Sequence, residues 1–495
     1  MRTRYFPNEC IKTATEVEMS TSEITNLTAL ALSTKIRAKT ISCTEVLRAY
    51  LSQIDKLNPE FNALVSIRDH ELLLAEAQTR DKELSKGICR GWMHGFPHAV
   101  KDLADVEDLL TTKGSPVLRD NVAAKDSIFV ERIRDAGAII IGKTNVPEFG
   151  LGSHTYNPVF GATLNAYDGK STAGGSSGGA AAALALQMLP VADGSDFMGS
   201  LRNPAAFNNV IGFRPTPGRV PLDNMFTETL SCNGPMARNV SDTAMLLSTM
   251  AGYHSASPNS LNEDPAQFTQ PLLHDFDSSK IGWLGDFNGY LAMEEGVLDL
   301  CYNALQGFRD IGCIVDEVSV DFSMEQLWDA WLVLRHWMVR SRALDLYRDE
   351  ETRKLLKPEQ IWEIEGGDKI TGDQIFAAST ARALWYEALQ RAFQKYDFLV
   401  LPTAQVFPFD ANIHWPQEIA GRTMDTYHRW MEVVIPGTLS GCPVINVPAG
   451  FSKQGLPMGL QIIGKRYSDL STLQVAYAYE QATRWNLDTQ PFALT

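Results

Sequence analysis

Two segments of the chain bring hydroxyls and glycines together in a pattern that suits acyl transfer. Residues 171–187, STAGGSSGGAAAALALQ, set Ser176 and Ser177 between two glycine pairs and ahead of an alanine-rich run. Residues 194–207, GSDFMGSLRNPAAF, place Ser200 directly behind Gly199, where a tight turn would present its hydroxyl beside consecutive backbone N–H groups. A serine hydroxyl is a weak nucleophile at neutral pH. It needs a group to take its proton and donors aimed at the oxygen on which negative charge develops. One candidate base lies upstream. GFPHAVKDLADV, residues 95–106, reads as a glycine-proline turn entering a short apolar strand that ends on Lys101. An ordinary lysine, with a pKa of about 10.4, is no base at neutral pH. Burial disfavours the ammonium form and lowers that value by up to several units.

Plainer readings compete with this one. Ser176 and Ser177 suit the start of a helix, where serine is a favoured cap. A flexible glycine-serine linker is the weaker alternative, because Leu184, Leu186, Met188 and Leu189 follow in an apolar helix rather than in polar low-complexity sequence. A Ser-His-Asp triad assembles from distant segments, so spacing alone does not exclude it. GxSxG is nevertheless absent around these serines, and His98 and His154 have no evident carboxylate to orient them; His154 reads as structural or substrate-lining. Asp196 and Arg202, which flank Ser200, read as loop support, since arginine fixes a turn by donating several hydrogen bonds. GAIIIGKT, residues 137–144, literally matches the phosphate-loop pattern. Its variable residues, Ala-Ile-Ile-Ile, belong in a strand and Pro147 follows closely, so a nucleotide-binding protein is the unlikely alternative.

The elements that must hold these residues follow from periodicity. Ser42 with Glu45 fits a capping box, and Val46, Leu47, Tyr50, Leu51 and Ile54 recur at helical spacing behind it. Residues 126–150 predict an amphipathic helix, a turn at Ala136-Gly137 and a buried strand from Ala138 to Ile141, the helix-then-strand order of α/β folds. YDFLVLPTA (396–404) and the region 440–464, with a turn at Gln454-Gly455, predict strands that complete a large sheet. Seven of the ten tryptophans fall between residues 320 and 430, in helical stretches that either pack into the core or cover a cavity.

Composition bounds the function. The 495 residues are 44% hydrophobic with a formal net charge of -15, which leaves no basic stripe for a nucleic acid partner. Seven scattered cysteines without a CxxC spacing suit neither a disulfide framework nor a zinc site. The opening residues lack an apolar run, and the alanine-rich stretch is too short to cross a bilayer, so a cytoplasmic protein without a membrane partner is expected.

Taken together, GFPHAVKDLADV, GKTNVPEFG, STAGGSSGGAAAALA, GSDFMGSLRNPAAF, GFRPTPGRVP, YDFLVLPTA and GLPMGLQIIG resemble the amidase signature family over about residues 22–490. The resemblance implies one large α/β domain, a mixed twisted β-sheet covered by helices on both faces. An N-terminal extension, 1–21, precedes the domain, and a Trp-rich helical insertion of about 320–430 lies within it. It implies the catalytic set Ser200, Ser176 and Lys101, with a cis peptide bond before Ser176. By the same mapping Ser177 supports the loop, and the backbone N–H groups of Phe197, Met198, Gly199 and Ser200 form the oxyanion hole. No metal or organic cofactor is implied; the partners are a small-molecule amide and water, with a homo-oligomer possible. The chain departs from the family in having Phe197-Met198 where Thr-Gly is common, and Asn208 and Arg214 where cysteine and lysine are common. These departures and the tryptophans favour a stand-alone hydrolase of aryl or hydrophobic amides, with carbamates and esters chemically close, over an amidotransferase component that works with partner proteins.

Overall fold

The computed structural model describes residues 19–223 and 226–494. Residues 1–18 of the expected extension therefore lie outside the described residues. Ser20 caps a short helix, Thr21–Asn26. The capping box at Ser42 and Glu45 forms and starts helix α1 (Cys43–Phe61), which buries Val46, Leu47, Tyr50, Leu51 and Ile54. A three-stranded sheet follows, made of β1 (Leu64–Val65), β2 (Pro97–Lys101) and β3 (Ile139–Thr144). Strand β3 lies in the middle, antiparallel to β1 and parallel to β2. The crossover into β3 is helix α2 (Ile128–Asp135), and Gly137 turns the chain at φ +103°. The strand runs past Ile141 to Thr144, so the GAIIIGKT match is extended backbone. Lys143 Nζ donates to the Ala104 carbonyl and sits 3.8 Å from Asp102 Oδ1. There is no phosphate loop there.

The large sheet has eight strands: β4 (Val191–Asp196), β5 (Ile211–Arg214), β6 (Cys232–Ala237), β7 (Lys280–Trp283), β8 (Ile314–Glu317), β9 (Phe398–Pro402), β10 (Val444–Phe451) and β11 (Pro457–Ile463). Their order is β8-β7-β9-β11-β10-β5-β6-β4. The sheet is mixed: β7 is parallel to β8 and β9, and the remaining neighbours are antiparallel. β10 and β11 form the expected hairpin, with Gly455 at φ +81° in its turn.

Helix α3 (Gly178–Ala185) is buried along its whole length. Small residues make that possible: a Cβ on Gly179 would stand 2.4 Å from the Asn145 nitrogen and 2.5 Å from the Ala63 carbonyl oxygen, beside the small sheet. The short helix α4 (Arg202–Phe207) follows the turn after β4. Three helices close the opposite side of the serine-bearing segments: α5 (Met324–Arg348), α6 (Pro358–Gly367) and α7 (Gly372–Phe393). Trp328, Trp331, Trp385 and Trp430 from this region are buried and serve the core. Among the described residues no helix is long and apolar enough to cross a membrane.

Candidate active site

Strand β2 ends beside β4, and this junction puts Lys101 inside the protein. The Lys101 backbone N–H donates to Asp193 Oδ2 at 3.2 Å, tying the two strands together. Its side chain then runs to the glycine-serine segment. Nζ lies 2.9 Å from Ser176 Oγ, 2.7 Å from Ser177 Oγ, 3.0 Å from Ser195 Oγ and 3.2 Å from the Ser195 carbonyl oxygen. Lys101 is 1% exposed. Burial pushes its pKa down to about 7, against the pull of the Asp193 and Asp196 carboxylates.

Ser176 is preceded by a cis peptide bond from Gly175. Ser177 stands at the N-terminal end of α3, yet its hydroxyl caps no helix N–H. Its place against the lysine explains why, and it corrects the capping reading. It also gives Ser177 a direct contact with the amine beyond the loop support expected of it. Ser195 is a further neighbour of the amine that the sequence reading did not single out. Its signal is the period-two alternation of a strand: Asp193 and Ser195 share one side of β4, facing Lys101, while Asp196 points the other way.

Ser200 belongs to the turn after β4, and its carbonyl accepts the Ser177 N–H at 3.3 Å, so the two serine segments lie side by side. Among the described residues the Ser200 hydroxyl makes no hydrogen bond, and it borders the same cavity of about 680 Å³ as Lys101 and Ser176. Asp196 shapes this turn. Its carboxylate accepts the N–H of Gly199 at 2.8 Å and of Leu201 at 3.2 Å. It also pairs with Arg202 Nε at 3.0 Å and with Arg214 Nη1 at 3.3 Å. Burial alone would raise the Asp196 pKa, but the two guanidiniums hold it far below the usual carboxylate range. Arg214 thus has a role at this position: its second nitrogen reaches the Leu230 carbonyl at 2.6 Å. Asn208 likewise donates to the carbonyls of Ala173 and Pro204 at 2.8 and 2.9 Å.

One expected oxyanion donor is taken. The Gly199 N–H points at Asp196, whereas the N–H groups of Phe197, Met198 and Ser200 meet no acceptor among the described residues. Met198 keeps a negative φ, so the exchange of glycine for methionine leaves the turn unstrained. Gly199 carries the positive φ, +84°, and a Cβ there would stand 2.3 Å from Asn203 Oδ1. Phe197 is held from the opposite side by α5: the Trp331 ring is 5.2 Å away, and the guanidiniums of Arg335 and Arg342 lie 5.5 and 5.9 Å from its centroid.

The cavity wall differs from the expectation of a tryptophan lining. Among the described residues no tryptophan borders the cavity. Helix α5 turns Arg335, Val339, Arg342 and Leu346 toward it at helical spacing, and Trp328 and Trp331 are buried in the core instead. Phe149, Leu151, Phe197 and Met198 supply its apolar surface.

The histidines stand apart from the serines. His98 does have a carboxylate partner, contrary to expectation: Nε2 is 3.0 Å from Asp193 Oδ1. Its other nitrogen is buried without a partner among the described residues, and it touches no serine hydroxyl. His154 is held by the Ala411 carbonyl at 3.0 Å and Thr172 Oγ1 at 2.7 Å, and burial lowers its pKa to about 4. It is a neutral structural group.

Comparison with known proteins agrees with this architecture. A family model described as Amidase matches residues 45–473. The chain is 32% identical over 474 residues to the amidase-type subunit of the glutamyl-tRNA(Gln) amidotransferase from Cyanothece sp., covering 91% of this chain and 96% of that one. It is 30% identical over 465 residues to an acylamidase from Rhodococcus erythropolis, covering 93% and 96%. The crystal structure of a bacterial aryl acylamidase of the amidase signature family superposes with a TM-score of 0.86 at 28% identity, covering 93% of this chain and 97% of that one. The chain belongs to the amidase signature family. It is an amide-hydrolysing enzyme.

Proposed function

We propose that the protein is a stand-alone hydrolase of linear amides with an apolar or aryl substituent, acting through an acyl-enzyme on Ser200. The observation that carries this reading is the buried Lys101 amine, its pKa lowered to about 7, 2.9 Å from Ser176 Oγ. A neutral amine has two N–H groups and one lone pair. The Ser195 carbonyl only accepts and takes one N–H; Ser177 or Ser195 Oγ takes the other. The lone pair is then left for the Ser176 hydroxyl. Ser177 and Ser195 act as positioning residues that aim the base.

In the first half-reaction Ser200 Oγ bonds to the amide carbon while its proton passes to Ser176 and the Ser176 proton passes to Lys101. The tetrahedral oxyanion is held by the N–H groups of Phe197, Met198 and Ser200, each donor contributing about 3 kcal/mol. Collapse breaks the C–N bond, and the proton stored on Lys101 returns through Ser176 to the leaving nitrogen. Water then repeats the relay on the ester and releases the carboxylic acid. The apolar surface formed by Phe149, Leu151, Phe197, Met198, Val339 and Leu346 favours a hydrophobic acyl or amine group. Carbamates and esters present the same electrophilic carbon. The N-acyl cleavage named for the acylamidase relatives supports the same substrate class.

A panel of aryl amides, aliphatic amides, carbamates and esters, offered to the purified chain alone, tests the substrate class and independence from partners. Turnover of aryl amides above aliphatic ones is expected. Activity that appears only with an added partner protein overturns the stand-alone reading. The pH dependence follows from Lys101. Its neutral fraction falls tenfold per unit below its pKa, so kcat/KM rises with pH up to about 7 and levels off above it. A profile highest in acid contradicts the lysine base.

A further inference from the structure

A second cavity, of about 650 Å³, shares the wall residues Leu222, Glu228 and Ser231 with the catalytic one. Helix α5 divides the two: Leu334, Trp337 and Met338 face the second cavity, and Arg335, Val339 and Arg342 face the first. Helix α7 lines the second cavity with one face, through Ile375, Ser379, Arg382 and Tyr386. Two cations stand in it without a counterion. Arg382 donates to the Leu439 carbonyl at 3.0 Å and to Thr229 Oγ1 and O at 2.9 and 3.2 Å, all of them uncharged acceptors. One N–H remains open on each of its terminal nitrogens. Arg466 lies over the rings of Tyr467 and Tyr386, at 4.9 and 5.9 Å from their centroids. Among the described residues neither arginine is paired with a carboxylate.

The carboxylates nearby are committed elsewhere. Glu228 is paired with Arg342 on the catalytic side, and its Oε1 accepts the N–H groups of Leu230 and Ser231 at 3.2 and 2.9 Å. Burial, together with the positive charges of Arg214 and Arg466, presses the Arg382 pKa down to about 10, as expected where anions are lacking. A cavity of this size with apolar and aromatic walls and two unneutralised guanidiniums has the chemistry of a site for an organic anion.

We propose that this second cavity binds a small carboxylate with an apolar or aryl body, its carboxylate held by Arg382 and Arg466 and its body lying against Trp337, Leu334 and Leu439. Such a ligand belongs to the chemical class that amide hydrolysis releases, but the site is separate from the serines, and its occupancy is measured without turnover.

Titration calorimetry with 2-naphthoate and with the neutral 2-naphthalenemethanol tests the proposal. Saturable binding of naphthoate is expected, at least about tenfold tighter than the alcohol, because hydrogen bonds between charged groups are the strong ones. Arg466→Gln removes an exposed guanidinium that makes only ring contacts, and is expected to weaken naphthoate about tenfold. Arg382→Gln is expected to weaken it further. Because Arg382 also ties Thr229 to Leu439, Ser379→Glu, on the exposed side of α7, gives a second measurement; the added carboxylate is expected to abolish binding. No saturable binding to the unmodified protein, or equal affinity in Arg466→Gln and Ser379→Glu, overturns the proposal. Either result leaves the Ser200 mechanism intact.

Discussion

Replacing Ser200 with alanine is expected to lower kcat for an amide by about 10⁴-fold or more while KM changes little. The magnitude is that of removing the nucleophile from a serine hydrolase, where the residue acts only as one part of a unit. Lys101→Met is expected to fall to nearly the same level, because without the buried amine the Ser176 hydroxyl has no acceptor for the proton it receives. The double variant is then no slower than either single one. That non-additivity separates a proton relay from two independent contributions, and steady-state kinetics on the three variants measures it. Multiplying losses, or a Lys101→Met protein that keeps a tenth or more of its activity, would show that the amine is not the base.

Asp196→Asn is expected to reduce stability by about 3–5 kcal/mol, the usual consequence of leaving a buried charge without its partner. The carboxylate lies between Arg202 and Arg214, and all three side chains are wholly buried, so neutralising it strands two guanidiniums in the interior. The same change loosens the turn, since the Gly199 and Leu201 N–H groups lose the charged acceptor that fixes them. Urea denaturation gives the stability, and kcat/KM gives the effect on the turn. Arg214→Lys, which keeps the charge but loses the fork that reaches both Asp196 and the Leu230 carbonyl, is expected to lose a smaller amount in the same direction. A loss below about 1 kcal/mol in Asp196→Asn would mean that the turn is organised by something other than this ion cluster.

Much of the scaffold is legible in the sequence because local signals agree with the fold. The Ser42 capping box, the apolar run of β3 and the β10–β11 hairpin each stand where periodicity and turn residues put them. The proximity of Lys101 to Ser176 is legible as motif chemistry, since a lysine closing an apolar strand has few other uses. Three features of the site are not legible in this way. Ser195 and the Asp193 anchor appear only once β2 is known to end beside β4, a non-local pairing with no local signature. The loss of the Gly199 N–H depends on Asp196 folding back three residues along the chain, where a carboxylate already neutralised by two arginines still has lone pairs for backbone donors. The face that α5 presents is the third. Tryptophans recur along it, yet helical rotation buries Trp328 and Trp331 and leaves arginines at the cavity, because long polar side chains lay their stems on apolar surface and keep their heads toward open space.

The central claim is that a neutral buried lysine activates Ser200 for covalent attack. Reaction of the purified protein with a fluorophosphonate at a series of pH values, followed by intact-mass measurement and peptide mapping, tests it most directly. The account predicts a single adduct, on Ser200, absent from Ser200→Ala, with a labelling rate that climbs through pH of about 7 and then levels off, as Lys101 loses its proton. Labelling of Ser176 instead, or a labelling rate on Ser200 that does not change with pH, would contradict it.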